Sequence, residues 1–329
     1  MRPRVYITQP VAQSAIERLR AVANVELNPD SVHIVTKDEL LNAVRRHDIL
    51  FCLLHDKVDG EVIAANPKLR AVASMKITPS DIDVEAATAR RIPVTVIAPI
   101  VTEATADIHF ALLLAVARRL VEGDKLVRAG IFPGAQSAHL LGAGVFGKVI
   151  GLIGGGGRIG RAVAKRAHGF SMRTLYWTPR RKPASEEQEA GLTYVPYDQL
   201  LAESDFVSVH APLTAETRHL VGEREIRLMK PTAFLINTSR GPIVDEAALI
   251  RALVERRIAG AGLDVFEHEP HVDPALLTMP NVVLTPHLGS AVAELRESMA
   301  NVVVDNILAV LEGRQPPNCW NPQIYAPPK

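Results

Sequence analysis

The stretch GLIGGGGRIG, residues 151–160, carries six glycines in ten positions. Glycine is costly to order, because it gives up more backbone freedom on folding than any other residue. So dense a run marks backbone that has to stay clear of side chains. Before it lies VIGLI (149–153), a continuous apolar run of the kind that forms a parallel strand buried on both faces. After it, RAVAKRAHG from Arg161 reads as a helix. Gly155, Gly157 and Gly160 therefore spell G-x-G-x-x-G between strand and helix. In that setting glycines permit a tight turn, close approach of backbone to a pyrophosphate, and close helix–strand packing. Free N–H groups and the helix dipole hold the negative charge.

The same alternation continues downstream. TLYW (174–177), FVSV (206–209), AFLIN (233–237), AGLDV (261–265) and VVLT (282–285) are apolar runs separated by helical patterns. One of these is DEAALIRALVERR, with Asp245 as N-cap and Gly260 as stop. Six strands with helical crossovers predict a doubly wound parallel sheet. The first hundred residues repeat the theme, with VYIT, ILFCLL, LRAVAS and IPVTV as strands and SAIERLRAVA and DIDVEAATARR as helices. A single long helix is predicted from Thr102, about 40 Å at ~1.5 Å per residue. A last helix is expected over 291–313, and the Pro-rich tail from Pro316 reads as an extended strap.

Composition narrows the function classes. The 329 residues are 47% hydrophobic and 22% charged, with a net charge of +1, so neither nucleic acid nor an anionic membrane is expected as partner. The longest apolar stretch, FALLLAVA at 110–117, is far short of the roughly 18 residues a span needs. The opening MRPRVYITQP lacks the apolar core of a signal peptide. Two cysteines, Cys52 and Cys319, in no metal-ligand spacing suit a reducing cytoplasm, and no metal is expected.

Ligands of open α/β sheets bind at the carboxyl ends of the strands. The second strand ends in YWTPRRKP: Thr178 stands where an acid would bind the adenosine ribose, followed by Pro179, Arg180, Arg181 and Lys182. Guanidinium forks pair with a 2′-phosphate that a carboxylate would repel, which predicts NADP(H) in preference to NAD(H). Later strands end in His210-Ala-Pro212, with Thr217 beyond, in Asn237-Thr238-Ser239-Arg240, in Asp264 to Glu269, and in Thr285-Pro-His287-Leu-Gly289. An arginine, an acid and a histidine thus meet at one edge, beside a nicotinamide. Hydride transfer to a carbonyl needs a proton donor for the new alkoxide, which suits His287. Glu269 would orient that imidazole and favour its protonated form, and Arg240 would clamp a carboxylate and polarise the adjacent carbonyl.

GRIG, NTSRGPIVDEAALI, AGLDVFEHEP and NVVLTPHLGS together resemble the D-isomer-specific 2-hydroxyacid dehydrogenase family. TEATADIHFALLLAVARRLVEGDKLVRAG and LYWTPRRK further resemble its glyoxylate/hydroxypyruvate reductase branch. The resemblance covers almost the whole chain. It implies two doubly wound Rossmann/flavodoxin-like α/β domains, with a nucleotide domain (102–289) inserted into a split substrate domain (1–101 plus 290–329). It also implies a homodimer built through the crossover helix, reduction of a small 2-oxo acid to the D-2-hydroxy acid, and catalysis by Arg240, Glu269 and His287. Dinucleotide contacts are expected from Gly155, Gly157, Arg158, Ile159, Gly160, Thr178 to Arg181, His210, Pro212, Thr217, Thr238, Ser239, Asp264 and Gly289.

Three departures from the family pattern stand out. The glycine run is one residue longer than usual, which leaves two registers, Gly154/Gly156 or Gly155/Gly157. The second keeps the helix start at Arg161, the surplus being absorbed as a bulge at the strand end. After LRAVAS the usual Gly-x-Asp-Asn turn is replaced by MKITPSDID, with Thr78 for the glycine. Lys76, Ile77 and Thr78 are the substrate-loop residues, and Lys76 either replaces lost backbone donors or lies on the surface. The segment IFPGAQSAHLLGAG is shorter than the branch's loop and lacks its tryptophans. Two other functions share the fold. A cofactor-sensing corepressor is one; the other is phosphite oxidation, whose branch has lysine directly before the position of Thr78, one place after Lys76. The formate branch has glutamine at the position of Glu269.

Overall fold

The apolar runs become short parallel strands whose side chains alternate between two buried faces. The structure, a computed structural model, describes residues 2–326; residue 1 and residues 327–329, the ends of the expected split domain, lie outside that description. It divides into two compact units, one of residues up to Ile100 together with those from Val292, the other Val101–Ala291.

In the first unit, β1 (Arg4–Ile7), β2 (Asn24–Leu27), β3 (Ile49–Cys52), β4 (Ala71–Ser74) and β5 (Val94–Thr95) form an all-parallel sheet of order β2-β1-β3-β4-β5. The tail adds to its edge: Trp320 N–H donates to Val94 O at 2.8 Å and Val96 N–H to Asn318 O at 3.1 Å. Buried Asn321 completes this by accepting from Val94 N–H at 2.9 Å. The strap is therefore pinned along β5. Its last helix spans Ala293–Leu311.

In the second unit, β6 (Val149–Ile153), β7 (Arg173–Trp177), β8 (Thr193–Tyr194), β9 (Phe206–Val209), β10 (Phe234–Asn237), β11 (Gly260–Leu263) and β12 (Val282–Leu284) form a second parallel sheet, of order β12-β11-β10-β9-β6-β7-β8. One face carries Ile153, Leu175, Val207, Val209, Leu235 and Leu263 into one core. The other carries Ile150, Leu152, Tyr176, Phe206, Phe234 and Ile236 against Phe110, Leu113, Val163 and Ala167 of two helices. Each such aliphatic side chain contributes ~1.5–3 kcal/mol by leaving water. The order of strands reverses between β6 and β9, the switch point at which open sheets bind ligands. Among the described residues no helix is long and apolar enough to cross a membrane.

Several expectations need correction. The single long helix is two, Thr102–Ala117 and Leu120–Arg128, broken at Arg119, whose φ is 53°. The break has a cause: Ala143 N–H takes the Ala117 carbonyl at 2.8 Å, and the Arg119 guanidinium folds back onto Glu122 at 2.8 and 2.9 Å. At ~1.5 Å per residue the first piece is about 24 Å long. Asp245 is indeed an N-cap, accepting from Ala248 N–H, but its helix ends at Val254, and Gly260 opens β11 instead of stopping the helix. The strands β2 and β8 were not expected. The first has the half-exposed pattern of an edge and no continuous apolar run, and the second is only two residues long.

Candidate functional site

The glycine turn fills the gap between β6 and a helix that starts at Arg158, three residues before the expected Arg161, with Gly157 as N-cap. Register follows from close contacts. A Cβ on Gly160 would lie 2.5 Å from Gly155 Cα, so these two glycines seat helix on strand, the role of the outer pair in G-x-G-x-x-G. Gly157 then leaves the first-turn N–H groups uncovered. The surplus residue is Gly154, but it is not a ladder bulge: pairing of β6 with both neighbours runs unbroken to Ile153. Gly154 turns the chain with φ 80°, and a Cβ there would be 2.6 Å from Ala211 N. Only glycine meets both conditions. Bare backbone at a helix start, walled by close packing, fits the diphosphate of a dinucleotide.

The basic edge is arranged differently from its appearance in sequence. Arg181 is tied to Glu187 by two 2.8 Å hydrogen bonds and lies over the Tyr194 ring at 5.3 Å. Arg181 and the Tyr176 hydroxyl (2.7 Å) hold the Glu187 carboxyl down at about 2. The Thr178 hydroxyl donates to the Arg180 carbonyl at 2.7 Å, closing the turn and leaving the exposed Arg180 side chain without a protein partner among the described residues. Lys182 was not assigned a role from sequence. Its stem lies across the glycine turn, with Cγ 2.9 Å from where a Gly156 Cβ would stand.

At the ends of β10 to β12 the three reactive side chains sit on linked turns. His287 Nδ1 is 2.9 Å from Glu269 Oε2, while Glu269 Oε1 accepts from Phe266 N–H at 3.0 Å. Nε2 of His287 has no hydrogen-bond partner among the described residues. His287 is itself a left-handed residue, φ 55°, held by its N–H on Asp264 O at 2.9 Å. The buried Asp264 carboxylate, pushed up by burial, accepts from Thr285 Oγ1, Leu288 N–H and Gly289 N–H at 2.6–2.8 Å and so fixes that turn. Arg240 is exposed, with Nη1 2.6 Å from Ser239 O. A Cβ on Gly241 would be 1.8 Å from Phe266 O, so the Arg240 turn is pressed against the turn that carries Glu269. The neighbouring acid, Glu267, is occupied by Arg218 and His219 at 2.7 Å each. The turn therefore separates two acids that sequence alone does not.

The remaining expected contacts divide into those facing the edge and those used internally. His210 follows β9, its Nε2 2.7 Å from the Ser208 hydroxyl. The Thr217 hydroxyl donates to Pro212 O at 2.6 Å, closing its own loop. The Ser239 hydroxyl donates to Ala211 O at 2.6 Å, and the Thr238 hydroxyl is buried without a partner. In the other unit, after β4, Lys76 is not on the surface: it is 6% exposed and its Nζ lies 2.6 Å from Asp81 Oδ2. Burial pushes the Asp81 carboxyl up, but the Lys76 ammonium outweighs this and holds it below its ordinary value. Thr78 is not among the residues with positive φ, so this backbone tolerates threonine for glycine.

The chain is similar to known proteins over nearly its whole length. The family described as "D-isomer specific 2-hydroxyacid dehydrogenase, NAD binding domain" matches residues 110–289. A glyoxylate reductase of Thermococcus litoralis is 48% identical over 328 residues, covering 98% of each chain. Among solved structures, a Thermus thermophilus protein is 42% identical, with a TM-score of 0.89 over 96% of this chain and 99% of its own. An NADPH-dependent glyoxylate/hydroxypyruvate reductase of Sinorhizobium meliloti, in complex with NADP and malonate, is 32% identical, with a TM-score of 0.79 over 100% of both chains.

Proposed function

The chain belongs to the D-isomer specific 2-hydroxyacid dehydrogenase family, an NAD(P)H-dependent reductase of 2-oxo acids, and we propose that it acts on small ones of the glyoxylate and hydroxypyruvate class, with NADPH as donor. The observation that carries the reading is the 2.9 Å Glu269–His287 pair, with Nε2 of the imidazole free, at the carboxyl edge that also carries the glycine turn. A nicotinamide held there would supply the hydride. His287 delivers the proton from Nε2 to the developing alkoxide, Glu269 holding Nδ1–H and thereby the ring's orientation. Arg240 grips the carboxylate with its fork and polarises the adjacent carbonyl. Gly155, Gly157 and Gly160, with the Arg158 and Ile159 N–H groups, would hold the dinucleotide's diphosphate. A panel of glyoxylate, hydroxypyruvate, pyruvate and phenylpyruvate with each cofactor tests the assignment: a clear preference for the two smallest polar acids is expected, and turnover of none of them overturns it.

Preference for NADPH rests on Arg180, the cation left without a protein partner among the described residues once Glu187 has engaged Arg181, with Lys182, whose Nζ is 3.8 Å from Glu186 Oε2, beside it. A hydrogen bond to a charged group is worth about 1.5–3 kcal/mol, roughly 10- to 100-fold in affinity. Thr178→Asp combined with Arg180→Ala is therefore expected to raise KM for NADPH by that factor and to lower it for NADH. Equal use of both cofactors by the parent enzyme contradicts the proposal.

On the loop after β4, the Ile77 and Thr78 N–H groups donate to no protein acceptor among the described residues, so they are open to an anion. Lys76, neutralised by Asp81, contributes by shaping that loop. Homodimerisation is supported by exposed apolar side chains at Leu120, Val127, Ile131, Phe132, Leu141 and Phe146, on and after the second crossover helix, four of them more than 60% exposed besides Val127 at 61%. Sedimentation equilibrium is expected to give twice the 35.7 kDa chain mass, and Phe132→Glu with Phe146→Glu to give the monomer. The two free cysteines suit the reducing cytoplasm.

A further inference from the structure

His109 is a histidine in the wrong place for a surface role. It lies on the inner face of the helix Thr102–Ala117, fully buried, with Phe110 beside it and the His210 ring 5.3 Å away. Its Nε2 is 2.6 Å from Ser208 Oγ, and the same hydroxyl is 2.7 Å from His210 Nε2. Its Nδ1 is buried with no partner. Burial pushes both rings down, His210 to about 3 and His109 well below its ordinary value, His210 and Arg166 adding to the effect on His109. Both imidazoles are thus neutral, each with one N–H.

One hydroxyl between two imidazole nitrogens donates once and accepts up to twice; with both Nε2–H groups donating to it the hydroxyl proton is itself orphaned, and two arrangements remain in which it donates. In the first, Ser208 donates to His109, whose proton then sits on Nδ1 as an orphaned buried N–H. In the second, His109 Nε2–H donates to Ser208, Ser208 donates to His210 Nε2, and His210 carries its proton on Nδ1. The second leaves only a lone pair unmatched on His109, and orphaned buried donors are rarer than under-satisfied acceptors. His210 Nδ1 has no protein partner among the described residues and is absent from the sealed, unpartnered atoms, so it is reachable from outside the core. The His210 backbone abuts Gly154, where a Cβ would come within 2.8 Å of its carbonyl carbon.

We propose that His109 is a positioning residue: acting through Ser208, it locks His210 in the Nδ1–H form, so that a neutral His210 donates a hydrogen bond to an acceptor oxygen of the bound dinucleotide. The inference rests on the dinucleotide reading of this edge. It explains why a polar ring occupies an apolar core position: a phenylalanine there would fill the space and leave the Ser208 hydroxyl free to rotate, with the His210 tautomer unfixed.

Long-range proton–nitrogen correlation spectra of the ligand-free enzyme, with nitrogen-15 in its histidines, read the tautomers directly. The expected result is Nδ1–H for His210 and Nε2–H for His109. His109→Phe should convert His210 to a mixture and weaken NADPH about 3- to 10-fold in fluorescence titrations without substrate, the range of one neutral hydrogen bond. His109→Gln, whose amide can donate to Ser208, should restore both. A parent enzyme with His210 in the Nε2–H form overturns the proposal, whatever the variants do. So does a His109→Phe enzyme whose His210 signals are unchanged. If neither NADPH nor NADH binds the parent, the dinucleotide reading fails instead, and the tautomer result stands by itself.

Discussion

Replacement of His287 by alanine is expected to lower kcat for 2-oxo acid reduction by about 10² to 10⁴, the usual worth of a positioned general acid. The interaction it removes exists mainly in the transition state, so kcat and kcat/KM should fall together, while the dissociation constant of NADPH stays near that of the parent. Glu269→Gln should do less harm by a different route. Glu269 presents two acceptors to two donors, Phe266 N–H at 3.0 Å and His287 Nδ1 at 2.9 Å. With the amide oxygen on Phe266 N–H, the amide NH2 faces Nδ1 and cannot accept from Nδ1–H, so the doubly protonated imidazole that delivers the proton loses its partner. The expected order of kcat is parent, then Glu269→Gln, then His287→Ala. A His287→Ala enzyme with near-normal kcat would mean that another group delivers the proton.

How far the sequence anticipates this site depends on the range of the interaction concerned. The glycine turn is local, and strand, turn and helix are all contained in residues 149–169, so its register can be argued from the string. Even there the helix start is misplaced by three residues, because the first turn, Arg158-Ile159-Gly160, is written in the same letters as the loop. Choosing Glu269 over Glu267 is possible by resemblance to a family, but its physical ground is visible only in three dimensions, where Arg218 and His219 occupy Glu267. The basic edge shows the opposite case: Arg180 and Arg181 look equivalent in sequence, and Glu187, one helix turn or more further on, separates them. Arg119 in a left-handed conformation is hidden for the same reason, since the N–H that captures the helix end comes from Ala143. The His109–Ser208 contact joins residues 99 apart, and the apolar pattern around FALLLAVA only says that position 109 is inside.

Arg240→Ala is expected to raise KM for the 2-oxo acid and lower kcat at once, because the same fork binds the carboxylate and polarises the carbonyl beside it. Removing one partner of a desolvated charge pair costs about 2–5 kcal/mol, so kcat/KM should fall by roughly 30- to 5,000-fold. Arg240→Lys keeps the charge but not the fork and should lie between the two. The side chain is free to do this: it is exposed, and among the described residues its one hydrogen bond is to its own neighbour, Ser239 O. The Gly241–Phe266 contact holds the backbone of the turn in place whatever stands at 240, so the variant is expected to keep the fold. An uncharged substrate separates binding from polarisation. With methyl glyoxylate in place of glyoxylate there is no carboxylate to grip, and the gap between parent and Arg240→Ala should shrink to the part due to carbonyl polarisation. If the gap is the same for ester and acid, Arg240 does not read the carboxylate.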